Sequence, residues 1–219
     1  MASVCWQIVL NHAEPQARAW LEASRPMLAE PLSPLAFRAA FAGAGRRLRG
    51  ADFTLSDKEG RELVQIGIIA PQLWRLDDLA RAALLMEALE ATPRERHVAL
   101  VRELYLRGDE REQAAVLRSL ALLPEPARFL EIAVDGCRTN VRDVFEAIAC
   151  ENPYPVTHFP DPNFNQLVLK AYFMGVPVSR IVGLETRKTA ELRRMAADYA
   201  SERRAAGRSI PADIDLVLT

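Results

Sequence analysis

Cysteine, histidine and lysine are all scarce in this 219-residue chain. Its three cysteines, Cys5, Cys137 and Cys150, are odd in number and form no CxxC or other metal-ligand spacing, which excludes a disulfide framework and fits a reducing compartment. They read as small apolar residues. With only His12, His97 and His158 present, a His-rich metal centre is excluded too, and no cofactor is expected. Lysine occurs only at positions 58, 170 and 188, and the basic and acidic totals nearly cancel to a net charge of −1. A nucleic-acid partner, which needs a strong positive field, is therefore not expected. No window approaches the ~20 continuous apolar residues of a membrane span; the richest, Leu79 to Leu89, contains Arg81 and Glu87. The start, MASVCWQIVLNHAEP, has no basic n-region, and Asn11, His12 and Glu14 interrupt it where a signal peptide would continue. The expectation is a cytoplasmic protein that does not span a membrane.

Half of the residues are hydrophobic, enough for a sizeable core. Apolar positions recur at spacings of three and four, and strand-like alternation is nearly absent, which predicts an all-α fold. Helices are predicted over about 14–24, 34–48, 56–69, 75–91, 94–107, 110–123, 126–136, 141–151, 162–174, 177–183 and 190–206, with boundaries good to about two to four residues. Short loops between them predict antiparallel neighbours. The segment from Leu104 to Leu123 aligns with that from Ile132 to Glu151, pairing Val116 with Val144, Leu117 with Phe145 and Leu120 with Ile148. Either stacked HEAT-like hairpins (an α-solenoid) or a compact right-handed helical bundle accounts for that alignment. A compositional shift over 43–53 suggests an N-terminal helical pair, residues 1–50, packed on a main body of residues 51–219; together they are expected to form one structural domain.

The densest chemistry lies between Cys137 and Arg180. Asn140, three residues before Asp143, reads as the N-cap of the helix after it, and Arg138 offers a bidentate fork to a carboxylate or phosphate, with Glu146 or Glu151 as internal alternatives. At Asn152-Pro153-Tyr154-Pro155 the residue before each proline is pushed towards extended geometry, so a stiff connector is expected, with Asn152 capping the helix end and Tyr154 stacking. His158 is either an acid or base near neutrality or a histidine packed beside Phe159. In the following helix Phe164, Leu167, Val168, Ala171 and Tyr172 make an apolar stripe that Leu169, Phe173 and Met174 widen, which predicts a central helix whose Asn165, Gln166 and Lys170 need partners. Between Arg180 and Arg208 eight Arg/Lys face four acids, and either an anionic partner or a solvated, ion-paired helix explains them.

Read together, CRTNVRDVFEAIACENPYPVTHFPDPNFNQLVLKAYFMGVPVSRIVGLETR and MAADYASERRAAGR resemble the EboA family of bacterial proteins, densely over roughly the last 80 residues. The family's polar positions carried over by motif are Arg138, Thr139, Asn140, Glu146, Asn152, Tyr154, His158, Asn165, Gln166, Lys170 and Arg180. Lys188-Thr189-Ala190 departs from the Asn-Pro helix start of relatives. Members are encoded beside a prenyltransferase-like membrane protein, a TatD-like hydrolase, a dehydroquinate-synthase-like protein and sugar-isomerase-like proteins, in a cluster linked to making or exporting secondary metabolites. The resemblance thus implies an accessory or adaptor protein of such a pathway, binding other products of the cluster or a pathway intermediate, without established catalysis. The alternative is an enzyme or binding protein for an anionic or sugar/cyclitol-like small molecule, using a polar pocket around Arg138, His158, Gln166 and Lys170.

Overall fold

The computed structural model describes residues 1–28, 32–48 and 53–219. Part of the compositional shift over 43–53 therefore lies outside the described residues. Among those described, the chain forms thirteen α-helices and no strand, as an all-α reading requires. The N-terminal half contains α1 (Ala2–His12), α2 (Pro15–Ser24), α3 (Pro34–Leu48), α4 (Asp57–Gln65) and α5 (Leu76–Glu90). The next stretch holds α6 (His97–Arg107), α7 (Glu110–Ser119), α8 (Leu130–Gly136) and α9 (Arg142–Ala149). After α9 come α10 (Tyr154–His158), α11 (Asp161–Met174), α12 (Ala190–Ala205) and α13 (Asp215–Leu218).

The central helix is α5, with thirteen of its fifteen residues buried, and α1 and α3 pack against it. Its sequence is the apolar window that is too charged to span a membrane, and the charges find internal partners. Arg81 donates from Nη1 to Asp77 at 3.0 Å and from Nε to the Phe41 carbonyl at 3.2 Å. Gly45 leaves the space for it, since a Cβ there would lie 2.1 Å from Arg81 Nη2.

Helix α1 was not expected. Its Cys5, Trp6, Ile8 and Val9 form a helical stripe that is fully buried on α5 and α4. Burying each of the larger side chains contributes about 1.5–3 kcal/mol, so this short segment is a structural part of the core. The three thiols are inert for the same reason: burial pushes Cys5, Cys137 and Cys150 up to about 12.

Further along, α7 packs on α9, and the aligned positions Val116, Leu117, Leu120, Val144, Phe145 and Ile148 are all fully buried. Gly136 allows the close approach, because a Cβ would meet Leu117 at 2.7 Å. Two expectations need correction. The connector after Glu151 is not extended throughout: Tyr154–His158 closes a helical turn with Pro155 in its first turn, where a missing N–H costs nothing. Residues 177–183 hold one 3-10 turn, Val178–Arg180, rather than an α-helix, and a second 3-10 turn, Leu184–Arg187, follows Gly183.

Helix α11 is not central either. Phe164, Leu167, Val168, Ala171 and Tyr172 are buried as the stripe predicts, but Phe173 is 71% exposed. The wider apolar face therefore does not all turn inward: the Phe173 ring faces solvent beside Lys170, whose Nζ lies 5.2 Å from the ring centroid.

Candidate functional site

The polar residues of the 138–180 region mostly bind one another. Helix α9 ends at Ala149, and Glu151 follows with φ of 46°, a left-handed conformation that costs a non-glycine residue about 1 kcal/mol. A clasp holds it there. The Glu151 N–H donates to the Arg180 carbonyl at 2.9 Å, while Arg180 returns Nε and Nη2 to the two Glu151 carboxylate oxygens, each at 2.8 Å. Its remaining Nη1 donates to Glu146 at 2.5 Å, and Arg142 closes on the other Glu146 oxygen at 2.6 Å. Such bidentate pairing is what a planar guanidinium does best.

Burial pushes the Glu146 carboxyl up, but the hydrogen bonds and charges of Arg180 and Arg142 outweigh it and hold the group below the usual carboxylate range. A depressed folded-state pKa gives stability that is present above the unfolded value, about 4.3, and lost as pH falls through the folded one. Glu146→Gln should therefore be less stable than wild type at pH 7. Urea unfolding at successive pH values should show the gap narrowing below about pH 4.

Asn152 caps α9 as expected and does more. Its Nδ2 donates to Ala147 O at 2.9 Å and, across to α7, to Leu117 O at 3.3 Å, while its Oδ1 accepts the Tyr154 N–H at 2.9 Å. Tyr154 is fully buried and donates its hydroxyl to Pro126 O at 2.7 Å. His158 packs on that ring, centroids 4.7 Å apart, and desolvation lowers its pKa, so it is neutral at pH 7. Its distance to Phe159 is bridged by Tyr154, which contacts both rings.

Asn140 is not an N-cap. That position is Val141, whose N–H is taken by Thr139 Oγ1 at 3.1 Å, and Asn140 Oδ1 instead accepts from Lys170 Nζ at 2.6 Å. Arg138 pairs with neither Glu146 nor Glu151, because Arg180 occupies both. It lies exposed at a cavity between α6, α8 and the start of α11. Asn165 and Gln166 line a different depression, next to the N-terminus of α12. Asn165 is 3% exposed, and its Oδ1 has no hydrogen-bond partner among the described residues. Arg138, His158, Gln166 and Lys170 thus do not share one of these cavities.

A second network, distant in sequence, centres on Arg187. Arg187 donates to Val156 O, Phe159 O and Asp161 Oδ1, all at 2.8 Å, and stacks over Phe164 with its guanidinium carbon 4.8 Å from the ring centroid. It closes the C-terminal end of α10 onto α11. Of the basic excess beyond Arg180, Arg187 thus turns inward, whereas Arg194 spends itself on Glu191 and Asp198 at the surface. Thr189 caps α12, accepting from Leu192 N–H at 3.1 Å, so the departure from an Asn-Pro start still leaves a capped helix.

The family model described as Metabolite traffic protein EboA matches residues 1–218, so the resemblance that is densest over the C-terminal motifs extends along the chain. No curated protein and no solved structure matches it.

Proposed function

The chain belongs to the EboA family, and from that premise we propose that it is an accessory protein of a secondary-metabolite pathway, handling an intermediate or its maker without converting it. The family description, metabolite traffic, is the coarse form of that role. The observation that carries the finer reading is the way the motif spends its polar groups. Arg180 is committed to Glu146 and Glu151, Asn152 and Tyr154 to backbone carbonyls, and Lys170 to Asn140. A general acid or base must keep a proton site aimed at substrate, and a nucleophile needs a base beside it. Groups locked onto each other serve to fix a surface.

Deleting the gene and following the pathway product by mass spectrometry tests this. The finished metabolite should still be made, but with altered amount or distribution between cell and medium. Accumulation of a chemically incomplete precursor, restored to product by the purified protein alone, would show catalysis and overturn the reading.

A further inference from the structure

The cavity between α6, α8 and the start of α11 is set apart by two charged side chains, Asp135 and Arg138, that enter no ion pair among the described residues. Its volume is about 380 Å³, within the range of small-ligand pockets. One wall is apolar, from Leu106, Leu130 and Val134; Tyr105, Asp135 and Arg138 supply the other. At the rim Arg102 is engaged with Glu131 at 3.2 Å. Arg138 and Asp135 are joined through the backbone, the Arg138 N–H donating to the Asp135 carbonyl at 2.9 Å. Their side chains do not pair with each other, and neither has an ion-pair partner among the described residues.

A guanidinium only donates and a carboxylate only accepts. A ligand complementary to both must bring an anion for the first and a hydrogen-bond donor for the second, close together. We propose that this cavity binds a small organic acid whose carboxylate takes the Arg138 fork, whose adjacent amino or hydroxyl group donates to Asp135, and whose apolar body lies on Leu106, Leu130 and Val134. Burial, reinforced by the charge and hydrogen bond of the Asp135 carboxylate, pushes the Tyr105 phenol up to about 12, so its hydroxyl stays protonated and steadies the Asp135 carboxylate, whose other lone pairs remain for the ligand. The inference rests on the metabolite-handling role and names its chemistry.

Four probes sharing one apolar body separate the contributions: phenylalanine, phenyllactate, 3-phenylpropanoate and phenethylamine, with inorganic phosphate as a bare anion. In calorimetric titrations of the full chain, phenylalanine or phenyllactate should bind at least about tenfold more tightly than the two probes lacking one group, and than phosphate. Which of the pair leads identifies the donor as amine or hydroxyl. Arg138→Gln should erase the advantage over phenethylamine and Asp135→Ala, which removes the acceptor, the advantage over 3-phenylpropanoate; both residues are exposed, so the variants should keep the wild-type Tm. Equal affinities in wild type and Arg138→Gln, or no probe binding with Kd below about 10 mM, would overturn the assignment. If the titrations fail while a deletion strain still misplaces the metabolite, the cavity falls and the accessory role stands. A deletion strain with normal metabolite distribution contradicts the role itself.

Discussion

Arg81→Ala is expected to cost about 3–5 kcal/mol, the largest loss from any single charge in the chain, because it strands a carboxylate in the core. Arg81 and Asp77 are 3% and 2% exposed, and no solvent reaches Asp77 to replace the lost partner. The Arg75 guanidinium, 3.1 Å from the same carboxylate, softens the loss without removing it. For a chain of this length the effect corresponds to a fall in Tm of about 10 °C or more. Two controls identify the cause. The deficit should shrink on acidification, since burial already pushes Asp77 up and a proton can replace the missing guanidinium. The double variant Asp77→Leu/Arg81→Met should recover most of the loss, as apolar replacements of buried pairs commonly do. If the double variant is no better than Arg81→Ala, lost packing around α5 and Phe41 is responsible instead.

Arg180→Ala should cost about 2–3 kcal/mol, less than the fully buried case because the Arg180 side chain is 33% exposed and water screens part of the loss. Three effects add. Glu146 and Glu151 lose their shared cation and repel, the left-handed backbone at Glu151 loses the clasp that holds it, and the junction between α9 and the 3-10 turns after α11 opens. Chemical denaturation should show a lower midpoint with an unchanged m-value. Arg180→Lys should restore little, since an ammonium cannot span Glu151 bidentately and reach Glu146 as well.

Those two networks also show what can be read from sequence and what cannot. The Arg142–Glu146 pair, the stripe of α11 and the Asn152 cap are local, set by spacings of three to five residues, and the helix class follows from the same periodicity. Arg180 meets Glu146 and Glu151 across 34 and 29 positions, and Arg187 reaches the α10 carbonyls across 31 and 28. No local spacing rule pairs such residues, so Arg138 stood as the expected partner of Glu146 while Arg180 holds it. Helix α1 is short and its apolar run is broken by Asn11, His12 and Glu14, which masks the helical spacing of Cys5, Trp6, Ile8 and Val9. The cavity was illegible for a related reason: Tyr105 and Leu106 come from one helical pair, Asp135 and Arg138 from the next.

Arg180, Glu146, Glu151, Asn152, Tyr154 and Lys170, with His158 packed on Tyr154, form a clasp that holds helices in place, so these side chains are expected to matter to function through stability alone. Thermal unfolding and complementation of a deletion strain, measured together for Arg180→Ala, Tyr154→Phe, His158→Gln and Lys170→Met, test it most directly. Metabolite handling should follow the folded fraction, failing only where Tm falls and remaining intact in His158→Gln and Lys170→Met if these melt like wild type. A variant that melts like wild type yet abolishes the activity in cells would contradict the account and place that side chain in direct contact with the metabolite or partner.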